Sequence, residues 1–429
     1  MFFQDMSGNK LMYLGGIPRA KYVVKRAQEL GIYVVVADYN SDSPAKMISN
    51  ESALLDATNA DEIVSFCKSN HIEAITTGYC DILLRPCYEA AEQIGHLFYA
   101  SKKMIEMSLD KEDFKSTCES YGVPVPKTIH IDSDNLSDSA SRIVYPVFVK
   151  PTDASGSRGA HVCYGKEDFL THYKYAMNRS KSGHVTVEEY LTGTEFILDY
   201  MIDDGEAFLL SMADRYTCSE RGLAINDPDL MILPSKNINR YLSEIDPLVK
   251  TMFRELGFKN GLLFMQGYAN DDAIVFYEMG CRLGGTWPYI DNYFYGFNPL
   301  DSLFHHAIYG KMFENRPETF LSPYNGTAAI VYFICSKEKT FVGKISGLDQ
   351  LEKMPFVVSI LQYFDEGDYI DGTGFTDVVI LGVHIVGTDF SDIKAKTNLV
   401  YNTVDFFDPE GNSIILPHYN LDCLEDAYQ

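Results

Sequence analysis

The sequence predicts an α/β chain that turns α+β in its later parts: a parallel-sheet unit, then a mixed unit, then a small β-rich unit. Three observations predict it. Residues 10–105 alternate short apolar runs (LMYL, YVVVAD, EAITT) with helix-period stretches over about 18–30 and 60–69, the pattern of βαβ units on a parallel sheet. A helix-like stretch from about residue 104 closes at Gly122 and the extended Val123-Pro124-Val125-Pro126, a strong stop at a joint. From about residue 324, β-type runs (TAAIVYFIC, DVVILGVHIVG) are broken by Gly and Asp turns.

With 429 residues and roughly 100 to 200 residues per domain, three domains are expected. Their boundaries are set at 1–105, 106–320 and 321–429. Within the second, a central piece over about 144–205 carries the strand-like runs IVYPVFVK, AHVCYG, HVTVEEYL and EFILDYMI, which with EAFLLSMA predict a small mixed sheet. A helix over 246–256 precedes GLLFMQGY and AIVFYEMG, two apolar runs that read as a β-hairpin, and a further helix over 299–309 follows.

A net charge of −24 argues against nucleic-acid and anionic-membrane partners, both of which demand a basic surface. Anionic small molecules remain compatible if Lys, Arg and a metal gather locally. Nine cysteines without a C-x-x-C pair suit reduced thiols rather than a disulfide framework or a zinc site. The start lacks a basic n-region and no run approaches 18 apolar residues, so a cytoplasmic protein is expected.

The first turn, Gly15-Gly16-Ile17-Pro18-Arg19, with Asp38 ending the next apolar run, does not meet G-x-G-x-x-G and reads as a tight strand-to-helix turn. The hairpin is more informative. With a loop at 271–273, Asn270 pairs with Ile274 and Gln266 lies opposite Glu278, which puts Phe264 and Phe276 on the same face as that polar pair. Two oxygen donors converging there suit a hard divalent cation. Arg282, followed by Gly284-Gly285, adds a fork for phosphate or carboxylate. Upstream, Lys150 ends a strand-like run, and the small-residue loop through Ser155, Gly156, Ser157 and Gly159 offers free N–H groups to a polyphosphate. A third element is Val187-Glu188-Glu189-Tyr190-Leu191-Thr192-Gly193-Thr194-Glu195, extended backbone with acidic side chains for a purine edge or ribose hydroxyls.

Taken in order, Asp110-Lys111, the G-V-P-V-P joint, V-K-P with its glycine loop, E-E-Y-L-x-G-x-E and the hairpin with E-x-x-x-R-x-G-G resemble the ATP-grasp superfamily, its carbamoyl phosphate synthetase large chain and amino-acid ligase members included. The resemblance implies an ATP-grasp fold preceded by a Rossmann-like domain and followed by a small β-rich domain. It also implies ATP and Mg2+ as cofactors. Lys111 and Lys150 would contact phosphates, the loop with Ser155, Gly156 and Ser157 would close over them, Glu188, Glu189 or the backbone through Leu191 would meet adenine, and Glu195 the ribose. Gln266 and Glu278 would hold magnesium, with Lys150 and Arg282 serving the chemistry. Many relatives place an asparagine two residues after the glutamate, whereas this chain has Gly280.

The implied reaction activates a carboxylate as an acyl phosphate and joins it to an amine, releasing ADP and phosphate. A bicarbonate-using carboxylase-type enzyme and a non-catalytic ATP-binding protein are the alternatives. The expected partners are small-molecule carboxylate and amine substrates, and a homodimer is left open. Trp287, Tyr289, Tyr293 and Phe294 are candidate walls of a substrate pocket or core residues, and His161 and His184 are the histidines weighed as bases.

Overall fold

The computed structural model describes residues 2–152, 159–218, 228–285, 288–317, 326–335, 339–370 and 379–428. The loop residues Ser155, Gly156 and Ser157, and Trp287, lie outside them. Residues 10–76 build a four-stranded parallel sheet in the order Glu51–Leu54, Tyr33–Asp38, Lys10–Leu14, Ala74–Thr76. Apart from the largely exposed edge strand Glu51–Leu54, its strands are buried on both faces, one against helix Ala20–Glu29 and the rest of the chain, the other against helices Ala60–Asn70 and Leu84–Ile94. This explains the continuous rather than alternating apolar runs. The Asp38 carboxylate accepts the Gly16 N–H at 2.7 Å and the Asn40 N–H at 2.8 Å, so it shapes the first turn. Gly16 is required there because any side chain would collide with Ser43.

Eight strands form a large antiparallel sheet in the order Ile274–Gly280, Gly261–Ala269, Thr194–Asp203, Glu206–Tyr216, Leu230–Leu233, Thr327–Ile334, Val379–Gly387, Val357–Gln362. The joint expected near residue 320 therefore falls between two hydrogen-bonded neighbours of a single sheet. A separate three-stranded antiparallel sheet has Val147–Pro151 between His161–Cys163 and Val185–Glu189. The single mixed sheet expected from the middle of the chain is thus a misreading. Three of the runs make the small sheet and two join the large one, and every pairing among them is antiparallel.

The sequence reading missed several helices, Leu84–Ile94, Leu136–Arg142, Ile238–Glu244 and Pro288–Tyr295 among them; two others cover the sheets. Lys166–Arg179 covers the small sheet with Phe169, Tyr173 and Ala176, which lie on one face at helical spacing. Phe390–Thr403, capped by the Asp389 side chain on the Asp392 N–H, packs Ile393, Thr397 and Val400 against the large sheet. The helix expected from residue 104 is two, Lys102–Leu109 and Lys111–Ser120. Asp110 breaks it: in extended conformation it ends the first and caps the second, accepting from the Glu112 and Asp113 N–H groups. None of the nine cysteines is in a disulfide. No described helix is long and apolar enough to cross a membrane.

Arg26 on the first helix reaches Asp301 on helix Pro299–Tyr309 through two 2.7 Å bonds, tying the parallel-sheet unit to the body. Asp301 is buried, and burial alone would push its carboxyl up while the guanidinium draws it back. Removing Arg26 strands that charge. Arg26→Ala is expected to cost about 2–3 kcal/mol, below the range for a fully buried pair because a quarter of the Arg26 side chain is in water. Urea unfolding monitored by fluorescence measures it, and Asp301→Asn in the same background should recover part of the loss.

Candidate active site

One cavity of about 560 Å³ lies where the small sheet, the large sheet and the first unit meet. From the small sheet and the chain that follows it come Lys150, Glu188, Glu189 and Leu191; from the large sheet, Glu195, Gln266, Tyr277 and Glu278; from the first unit, Arg19 and Asp81. Lys111 and Arg282 complete its charged lining.

The hairpin supplies the oxygen donors. Gln266 does lie opposite Glu278, but not by the route expected. The loop is a residue longer, with Ala269 rather than Asn270 opposite Ile274, and a bulge restores the pairing: Gly267 faces Phe276, Gln266 faces Glu278, and Tyr277 is the extra residue between. The bulge re-aims two side chains. Tyr277 lines the cavity beside Glu278, whereas Phe276 turns into the core against Phe196 and Tyr241, contrary to the expectation that it shares the polar face.

Tyr277 then organises its neighbours. Its hydroxyl donates to Glu195 Oε1 at 2.5 Å and lies 3.3 Å from Gln266 Oε1, while Arg215 Nη1 donates to the same Glu195 oxygen at 2.6 Å. Glu278 Oε1 has the Lys111 ammonium 3.5 Å away. A carboxylate and an amide oxygen side by side, with a cation already attracted to one of them, fit a hard divalent ion whose other ligands come from phosphate and water.

Lys111 is the first residue of its helix, where a positive charge opposes the helix dipole; Glu112 and Asp113 in the same turn offset it. One turn on, Lys115 is buried. Its Nζ meets Glu188 Oε1 at 2.6 Å, and Lys150 Nζ meets Glu188 Oε2 at 2.7 Å. Glu188, 2% exposed, therefore bridges two lysines from different elements. Burial opposes its ionisation, but the two ammonium groups outweigh that and hold its carboxyl below the usual carboxylate range. Burial lowers the Lys150 ammonium despite the pull of Glu188, with Lys111 and Lys115 adding to the effect.

Arg282 is clamped. Its Nε and Nη2 bond the two carboxylate oxygens of Asp81 at 2.7 and 2.9 Å, Nη1 bonds the Leu283 carbonyl at 2.9 Å, and its guanidinium lies 4.8 Å over the Phe264 ring. Burial would weaken its proton affinity; Asp81 more than compensates. Phe264 has room only because of two glycines, since a Cβ at Gly280 would strike its ring and one at Gly284 its Cβ and the Asp199 carboxylate. Gly280 thus makes room for the edge of an aromatic platform for Arg282.

Residues 110–283 match the family described as Carbamoyl-phosphate synthase L chain, ATP binding domain. Residues 110–283 are an ATP-grasp domain. The chain is 25% identical over 288 residues to the formate-dependent phosphoribosylglycinamide formyltransferase of Bacillus subtilis (strain 168), covering 64% of this chain and 70% of that one. It is 26% identical over 188 residues to the carbamoyl phosphate synthase large chain of Clostridium beijerinckii (strain ATCC 51743 / NCIMB 8052), 43% of this chain and 17% of the relative, so it spans only a small part of that protein. The fold is that of the L-amino acid ligase from Bacillus licheniformis, with a TM-score of 0.73 at 16% identity over 94% of this chain and 99% of that one. ATP with Mg2+ is the cofactor pair of ATP-grasp enzymes.

Within this ATP-grasp domain and its neighbours, the structure brings Lys111, Lys150, Glu188, Glu189, Leu191, Glu195, Gln266, Glu278 and Arg282 to one cavity. Glu189 also accepts the Lys127 N–H at 2.9 Å. His161 stacks on His172, 4.0 Å between ring centroids, while its neighbours Ala160 and Val162 line the cavity; His184 is exposed. Of the residues read as pocket wall or core, Tyr289 packs edge-on to Tyr22 and Tyr293 is 58% exposed, and neither lines the cavity. Sequence reasoning missed Asp81, Lys115, Arg215, Phe264 and Tyr277. Their partners lie at least 13 positions away in sequence or, for Tyr277, depend on the bulge.

The Glu188 bridge carries a pH signature. Its folded carboxyl titrates below the ordinary value, so the stability it confers is fully present above the ordinary carboxylate range and is lost as pH falls through the lower, folded value. Glu188→Gln should therefore flatten the acid limb of a stability–pH curve. Thermal unfolding of wild type and variant across the carboxylate range checks this; parallel acid limbs would contradict it.

Proposed function

We propose that this protein is an ATP- and magnesium-dependent ligase that activates a small-molecule carboxylate as an acyl phosphate and joins it to an amine, releasing ADP and phosphate. The observation that carries the reading is the meeting of Gln266, Glu278, Lys111, Lys150 and Arg282 around one cavity. The Bacillus subtilis relative is named for a formate-dependent formyl transfer, which supports a carboxylic acid as donor. A cytoplasmic protein and a homodimer suit this reading.

In it, the triphosphate lies between the two sheets. Lys150, held in place by Glu188, and Lys111 take phosphate oxygens. The Glu188 carboxylate is committed to its lysines, so the backbone of 189–191 meets the purine edge. Glu195, already oriented by Arg215 and Tyr277, faces the ribose hydroxyls. Gln266 and Glu278 would hold the magnesium, which would supply neutralisation of the phosphate charge.

A carboxylate oxygen of the acid attacks the γ-phosphorus as the bond to the β,γ-bridging oxygen breaks, and ADP departs. Arg282, locked by Asp81 and Phe264, presents its remaining N–H groups to the charge that develops on the phosphoryl oxygens without having to reorganise. The amine nitrogen then attacks the acyl carbon, the C–O bond to phosphate breaks, and the amine's surplus proton leaves with phosphate or to water. An oxide is a poor leaving group and phosphate a good one, which is why the ATP is spent.

Two measurements test this. An acid labelled with heavy oxygen in its carboxylate should pass one label to inorganic phosphate, because only a carboxylate that attacked phosphorus leaves its oxygen there; unlabelled phosphate or AMP as product would overturn the mechanism. Glu278→Gln, which keeps shape but removes charge from the metal pair, should lower kcat by on the order of 100-fold or more while circular dichroism and thermal unfolding remain those of the wild type. Full activity in that variant would remove Glu278 from the metal site.

A further inference from the structure

Behind Glu195, the large sheet is tied to a distant stretch of the chain. Arg215 is the penultimate residue of strand Glu206–Tyr216; its register neighbours are Glu195 on one side and Met231 on the other, and all three line the cavity. Successive side chains of a strand point to opposite faces. Asp214 and Tyr216 accordingly face away from the cavity, where Tyr216 packs in one core with Leu230, Leu421 and Leu424.

On that hidden side, two fully buried carboxylates receive the segment 419–428. Asp214 Oδ2 accepts from the Tyr428 hydroxyl at 2.5 Å and from the Lys236 N–H at 3.1 Å, while Oδ1 accepts from Ser235 Oγ at 2.6 Å. Asp229, next to the lining residue Pro228, accepts from the Tyr419 N–H and, at 3.0 Å, from the Cys218 N–H. The segment is itself anchored: the Tyr428 ring stacks on Phe390 with 4.7 Å between centroids, and Asp422 meets Lys394 at 2.8 Å. A strand end is where a sheet opens first, and Arg215 sits one residue from such an end with its guanidinium on Glu195.

From this we infer that the segment 419–428 is a positioning strap for nucleotide binding: through Asp214, Tyr428 fixes the strand end from which Arg215 aims Glu195 at the ribose hydroxyls. The inference rests on the assignment of Glu195 to the ribose and adds a positioning residue that touches no substrate. With the Tyr428 hydroxyl gone, Oδ2 loses its shortest bond. Ser235 and the Lys236 N–H still hold the carboxylate, so the sheet stays folded and only the strand end is loosened.

The experiment uses the full chain with Mg2+ and two nucleotides, ATP and dideoxy-ATP, which lacks both ribose hydroxyls. Calorimetry gives Kd for each in wild type, Tyr428→Phe, which keeps the ring on Phe390, Glu195→Gln and the double variant. Tyr428→Phe should weaken ATP by roughly threefold to tenfold and dideoxy-ATP by less than about twofold, and should add little to Glu195→Gln in the double variant. Equal weakening of both nucleotides, weakening of neither, or losses that multiply in the double variant overturn the strap, and leave the ribose assignment standing if Glu195→Gln abolishes the preference for ATP. No such preference in wild type, or one that survives Glu195→Gln, overturns the ribose assignment and the inference with it.

Discussion

The clamp on Arg282 is the constraint around which the site is arranged. Asp81 holds the guanidinium by both oxygens although the two residues are 201 positions apart, so the cation is fixed only once the parallel-sheet unit and the large sheet have come together. Phe264 supplies the other surface of the clamp, and that ring fits only because positions 280 and 284 are glycine. A side chain at 280 would displace Phe264, and with it the surface beneath Arg282. Gly280 thus has a packing role within the hairpin.

The same logic runs through the other charged groups. The chain as a whole is strongly acidic, yet the cavity gathers Lys111, Lys150, Arg215 and Arg282, each beside a carboxylate: Glu278, Glu188, Glu195 and Asp81 respectively. Buried charges are costly unless paired and hydrogen-bonded, so the carboxylates make it feasible to store cations in a place where only an incoming polyanion would otherwise balance them. They also fix the directions of the cations beforehand, which is what electrostatic catalysis requires. Lys150 is the clearest case, being held by Glu188 and crowded by two further lysines.

Much of this was legible in the sequence where local pattern and function coincide. The parallel strands showed as unbroken apolar runs, the Gln266–Glu278 pair as polar residues on otherwise apolar strands, and Lys150, Arg282 and Glu188 through motif order. What stayed hidden has physical causes. The helix Lys166–Arg179 carries its apolar stripe on Phe169, Tyr173 and Ala176, but the exposed Tyr175 breaks the alternation of apolar and polar faces, so its period was faint. The bulge at Tyr277 has its local sign only on the facing strand, at Gly267, and it decides that Tyr277 faces the cavity and Phe276 the core. Asp81 precedes a helix as ordinary acidic residues do; its importance comes from a contact that only the assembled tertiary structure creates.

The central claim is that Arg282 acts as a preorganised cation whose orientation depends on Asp81. A double-mutant cycle on kcat tests it most directly, with Asp81→Asn, Arg282→Ala and the pair assayed at saturating ATP. Asp81→Asn alone should lower kcat by roughly tenfold or more while KM for ATP changes little, and it should have almost no further effect once Arg282 is alanine, since the two groups then act as one unit. Losses that multiply independently in the double variant would contradict the account, because Asp81 would then serve the reaction by some route other than Arg282.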